Sequence, residues 1–183
     1  MPAPTALGLR AQKGGAVVVG LAIETGEPRM LLSTFLAIEG EPYRTAAALP
    51  RETQAAAVKE IRDHQDRQAA EGLKAILGRL EGPVVAGLLV NRAGWITDLL
   101  SYSLEWDEHV PVAENLALRE ALRFGCRQNG AAFTELEEKS LPDLAAEKFG
   151  DLEARLKALG TAAGKPWRKE QKLACLAAWI AAV

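Results

Sequence analysis

Residues 16–23 run Ala-Val-Val-Val-Gly-Leu-Ala-Ile without a polar side chain, the pattern of a strand covered on both faces and lying inside a sheet. An extended stretch over residues 6–11 precedes it, and the paired glycines of Gln12-Lys13-Gly14-Gly15 supply the backbone angles of a hairpin turn between the two. Thr25-Gly26-Glu27-Pro28 then turns the chain into a third strand over residues 29–38, closing an antiparallel meander. Residues 43–50 predict a short connector, with Pro50 placed to open a helix. From 51 to 80 proline is absent, and Val58, Ile61, Leu73, Ile76, Leu77 and Leu80 recur at helical spacing. The polar run His64 to Gln68 predicts that this helix breaks there or projects past the sheet. Gly82-Pro83 stops it, and the apolar run 84–90 predicts a buried parallel strand reached by a right-handed crossover.

Residues 91–111 are the least regular part, carrying Trp95 and Trp106 and a short helical pattern over 96–104. A firm helix follows over 111–129, with Leu116, Ala117, Ala121, Phe124 and Gly125 on one stripe and Asn129-Gly130 as its stop. Residues 131–136 predict a weakly marked fifth strand. Ser140-Leu-Pro-Asp143 has the spacing of a helix start, and Gly150 and Gly160 punctuate two short helices. The last helix is expected over 166–182, with Pro166 in its first turn and Leu173, Leu176, Ala177 and Ile180 as its apolar face. These elements predict one α/β domain over 1–183, a mixed five-stranded sheet with helices on both faces.

Composition narrows the function classes. Charged residues at 25% and apolar ones at 49% are ordinary for a globular chain. The net charge of −2 leaves no global field toward nucleic acid or membrane, so such a partner must meet a local patch. The apolar runs fall short of the roughly 20 residues of a membrane span. Met1 to Thr5 leads straight into a strand pattern, so the expected location is the cytoplasm, and Cys126 and Cys175 are expected as buried, reduced thiols. His64 is expected to face solvent and His109 to lie in the irregular loop, without the companions of a zinc site. Ser33, Ser101, Ser103 and Ser140 lack the frame of a nucleophile elbow. Residues 8–15 do not form a phosphate loop, because Lys13 precedes the glycines and a strand follows.

The element order is that of the ribonuclease H-like fold, and Gly8-Leu-Arg-Ala-Gln-Lys-Gly-Gly-Ala-Val-Val-Val19 resembles the opening of RuvC-type Holliday-junction resolvases, where a Gly-Ile-Asp-Pro-Gly strand and turn precedes a glycine-led strand. Glu135-Leu-Glu-Glu-Lys-Ser-Leu-Pro-Asp-Leu-Ala-Ala-Glu-Lys-Phe-Gly150 is similar to that family's late strand and short helix. Trp167-Arg-Lys-Glu-Gln-Lys-Leu-Ala-Cys-Leu-Ala-Ala-Trp179 is similar to its final helix. The resemblance points to a bacterial branch of that superfamily and implies phosphodiester hydrolysis by two divalent metals held on clustered carboxylates. Carried across, however, the first-strand aspartate falls on Arg10, the acid after the fourth strand at or near Asn91, and the final-helix aspartate near Leu173.

A cation, an amide and an apolar side chain cannot hold two magnesium ions. The expectation is therefore a domain without catalytic residues, metal or other cofactor, acting by binding nucleic acid or a protein partner. The alternative is a magnesium- or manganese-dependent nuclease using relocated carboxylates among Glu24, Asp98, Glu114, Glu138 and Glu170, which otherwise serve as surface and helix-end charges. A third reading is structural, a homodimer joined through the aromatics between Trp95 and Trp106. For binding, Lys165, Arg168, Lys169 and Lys172 cluster around Trp167 in a glycine-rich approach to a helix, a mixture suited to a phosphate backbone or an unstacked base. Arg10 and Lys13, expected at the same sheet end, and Asn91 complete the set. The plainer alternative is a solvated helix face whose Trp167 packs on the sheet edge.

Overall fold

In the computed structural model, which describes residues 2–183, β1 (Thr5–Gln12), β2 (Gly15–Glu24) and β3 (Glu27–Ala37) form the antiparallel meander. β4 (Val84–Val90) lies parallel to β1, and β5 (Ala132–Glu137) parallel to β4, giving the order β3-β2-β1-β4-β5. This is the mixed sheet expected from the sequence. Every residue of β2 except Glu24 is buried, as its unbroken apolar run requires.

Side-chain alternation along β1 divides the core in two. Leu7 and Leu9 face the layer of α2 (Arg51–Leu77) and α4 (His109–Gln128), with Leu73, Leu118 and Leu122 among their neighbours. Ala6 faces the layer of α5 (Leu141–Lys148), α6 (Leu152–Ala163) and α7 (Lys169–Ala181), whose residues 173–180 are all buried. Gly8 and Gly87 stand opposite each other in β1 and β4, and α7 lies directly over them.

Several expectations are corrected, the first two by contacts distant in sequence. The connector after β3 contains a helix, α1 (Pro42–Ala47), because the buried Tyr43 packs with Val58, Val110 and Ala117. α2 runs unbroken through its polar stretch because Gln65 turns inward and donates to the carbonyl of Gly40 at 3.0 Å. α4 begins at His109, not Pro111, so that histidine opens a helix rather than lying in a loop. Pro111 sits in the first turn, where a missing N–H breaks no helical hydrogen bond. Pro166 lies outside α7 and follows a cis peptide bond. Gly160 lies within α6 instead of ending it, and Trp167 packs against it.

α3 (Leu99–Glu105) overlaps the predicted 96–104 segment and ends one residue beyond it, capped by Asp98, whose Oδ1 accepts from the Ser101 amide at 3.1 Å. Cys126 and Cys175 are free and buried, and burial pushes their thiols up to about 11 and about 12. His64 is exposed. Among the described residues no helix is long and apolar enough to cross a membrane.

Candidate functional site

β1, β4 and β5 run the same way, so their carboxyl ends share one edge of the sheet, the usual place for a ligand site in such sheets. Arg10 is near the end of β1, and its guanidinium donates to Glu138 Oε1 from Nη2 at 2.9 Å and from Nε at 3.2 Å. Glu138 follows β5 directly, and its amide donates to the carbonyl of Val90 at 3.0 Å, which fixes it at the end of β4. The pair is shielded, with side chains 22% and 19% exposed. Arg119 of α4 is a second cation here, only 6% exposed and with its Nε unpartnered. Burial lowers its pKa, and the Glu138 charge opposes that shift. Asn91 follows β4. With its amide nitrogen turned to the Val90 carbonyl at 3.3 Å, its oxygen accepts from Arg119 Nη2 at 3.0 Å.

This end of the sheet therefore brings Arg10 onto Glu138 and Arg119 near it, with Glu137 closing β5 alongside. Arg10 is positive and paired, the Asn91 oxygen is taken by Arg119, and Leu173 is buried in the core. Among the described residues no three His, Cys, Asp or Glu side chains are grouped to hold a metal ion.

The other carboxylates lie apart. Glu24 pairs with Arg29 at 2.8 Å, at the β2–β3 turn and thus at the opposite end of the sheet from Arg10. Glu114 Oε1 accepts the amides of Tyr43 at 2.7 Å and Arg44 at 2.8 Å, holding α1 against α4. Burial raises its carboxyl pKa against the effect of those two bonds. Asp98 is lowered by the amide and hydroxyl of Ser101. Glu170 lies in the first turn of α7.

A cavity of about 890 Å³ opens beside Asn91, lined by Arg62 of α2, Arg92, Arg119 and Arg123 of α4, with Glu135 and Glu137 of β5. A neighbouring cavity of about 350 Å³ shares Asn91, Arg92 and Arg119 and is walled by Trp95 and Tyr102. Trp95 is 72% exposed and sits edge-on to Tyr102 at 5.5 Å, while Tyr102 stacks on His109 at 3.9 Å. Carboxylates offset much of the arginine charge. Arg123 is paired with both Glu120 and Glu135, whereas Arg92 is 87% exposed and reaches Glu137 at 3.2 Å.

The expected binding residues are not gathered on one surface. Lys13 lines a cavity of about 290 Å³ with Glu41, Arg44 and Glu114, because the β1–β2 turn meets the α1–α4 side. Lys165, Trp167 and Lys172 line another, of about 540 Å³, beside α6. Trp167 packs on Gly160 of α6. The arginines of the large groove went unrecognised in the sequence. Arg119, three residues beyond Leu116 on the apolar side of α4, carried the one available signal.

No family model and no curated protein matches the chain. Solved structures do. RuvC of Thermus thermophilus in complex with a Holliday-junction substrate superposes with a TM-score of 0.58 at 8% identity, covering 96% of this chain and 90% of that one. A second Thermus thermophilus RuvC structure gives 0.54 at 10% identity, covering 96% and 91%. The yeast mitochondrial Holliday-junction resolvase Ydc2 gives 0.56 at 13% identity, covering 97% and 78%. The chain has the RuvC-like form of the ribonuclease H fold.

Proposed function

We propose that this chain binds nucleic acid without hydrolysing it, a guanidinium–carboxylate cluster standing where resolvases of this fold gather metal-binding acids. The observation that carries the reading is the Arg10–Glu138 pair at the end of β1. Hydrolysis by paired metals requires converging oxygen ligands. Here the leading ligand position bears a positive charge already bonded to the nearest carboxylate, and the next one along gives its oxygen to Arg119.

Support for binding comes from the adjoining groove. Guanidinium forks suit phosphate oxygens, and an exposed indole beside them suits an unstacked base. Glu120, Glu135 and Glu137 offset much of the cationic field, so smooth duplex is the poorer ligand and branched or single-stranded nucleic acid the better one. The neighbour determined with a Holliday-junction substrate supports the same ligand class.

The test is retention of labelled single strand, duplex and four-way junction at low ionic strength, followed by incubation with magnesium or manganese. The expected result is salt-sensitive retention of junction and single strand, weaker retention of duplex, and no cleavage. Arg92→Ala combined with Trp95→Ala should weaken binding about tenfold or more, since a stacked base alone contributes roughly 1–3 kcal/mol. Cleavage with either metal would restore the nuclease reading, and absence of retention would remove nucleic acid from consideration.

A further inference from the structure

Residues 157–172 contain Lys157, Lys165, Arg168, Lys169 and Lys172 against the single carboxylate of Glu170, in a chain whose net charge is −2. Among the described residues no carboxylate lies within 4.0 Å of any of these five cations, although arginines elsewhere are repeatedly paired. Three of the five gain nothing from the helix they stand on. Arg168, Lys169 and Lys172 stand at the amino end of α7, the positive end of the helix dipole, where cations are disfavoured.

Three of the lysines border a hollow. Trp167 lies so close to Gly160 that a Cβ there would fall 2.3 Å from the indole, and this contact pins the 164–168 segment across α6. Between the segment and the helix is a cavity of about 540 Å³, lined by Lys157, Lys165, Lys172, Thr161 and Trp167, with Glu153 as its one acid. The volume falls in the range of small-molecule sites and exceeds what a bare anion fills. It shares no lining residue with the arginine groove at the end of β4.

We infer that this hollow is a second binding site, for a phosphate ester of nucleotide size. The phosphate is met by Lys157, Lys165 and Lys172, the Trp167 contact holds the wall, and the Thr161 hydroxyl is already donated to the Lys157 carbonyl at 3.1 Å. Unpaired lysines bordering one hollow have phosphate or another small anion as their complement, and the room beyond a bare anion suits an ester. The ester comes either as a mononucleotide or as one unit of a nucleic-acid strand.

The experiment follows backbone amide resonances of residues 157–172 in the full chain during titration with inorganic phosphate, a mononucleotide, and a short oligonucleotide. It is repeated for Lys165→Ala combined with Lys172→Ala. Saturable shifts confined to this segment with the mononucleotide, abolished in the double variant, identify a free nucleotide site. Shifts with the oligonucleotide alone, with the salt dependence of its affinity reduced by about two counterions in the variant, identify a strand contact. The variant should melt no lower than the parent, since the substitutions remove positive charge from a positive helix end. A variant that melts lower, or the absence of segment-specific shifts with all three probes, overturns the site. The Arg92 and Trp95 variants leave this hollow intact, so the groove and the hollow fail or stand separately.

Discussion

Glu114 is ionisable, half-buried and held by only one of its oxygens. Oε1 accepts the Tyr43 and Arg44 amides, while Oε2 is buried with no partner. Burial is the larger influence and raises the carboxyl above its ordinary 4.5, the two amide bonds acting in the opposite sense. A raised acid holds its proton more tightly in the folded chain than in the unfolded one. Its contribution to stability is complete below the ordinary value and is lost as pH climbs through the folded one. Glu114→Gln keeps an oxygen for the two amides and removes the buried charge. The variant is expected to melt at or above the parent at about pH 8, with the gap closing as pH falls toward the ordinary carboxylate range. Thermal melts across that range check it. A variant less stable than the parent at the alkaline end would show that the charge-assisted bonds outweigh the burial.

At the scale of elements, the seating of α7 on β1 and β4 decides whether the second core exists. A Cβ at Gly8 would fall 1.6 Å from the Ala174 carbonyl oxygen, and one at Gly87 2.4 Å from that of Ala177. The obstacle is backbone in both cases, so no side-chain rotation relieves it. Gly8→Ala must lift a helix that buries Trp179, itself stacked on Phe149 at 3.7 Å. A loss on the order of 3 kcal/mol is expected, read as a lower urea midpoint. An unchanged midpoint would mean that α7 slides without cost. The glycine-led strand and the alanine-rich helix are each visible in the sequence, but their complementarity is not, because nothing local links residue 8 to residue 174. The same distinction runs through the fold. The strands and their glycine turns were legible because alternation and turn chemistry are local. α1 and the unbroken α2 were not, since they depend on Tyr43 and Gln65 finding remote partners, and the late start of α7 accompanies the fold-back of Trp167 onto Gly160.

For the molecule as a whole, the parallel arrival of β5 beside β4 brings Glu138 to Arg10 across 128 positions of sequence. Both residues stand out in the sequence, one as a displaced ligand position and the other as a spare carboxylate. Their pairing was out of reach, as was the buried Arg119, because a charged side chain on a helix is ordinarily assigned to solvent. Once formed, the cluster makes a definite prediction about how far this scaffold stands from a resolvase. Arg10→Asp breaks a shielded pair and sets two carboxylates together, with Arg119 as the nearby compensating charge, so a loss of about 2 kcal/mol is expected in denaturant unfolding. No cleavage of junction or single strand should appear with magnesium or manganese, because the Asn91 oxygen still serves Arg119 and Leu173 is still in the core. Cleavage by that single variant would mean that other carboxylates already surround the site as metal ligands, and that Arg10 alone was holding the centre shut.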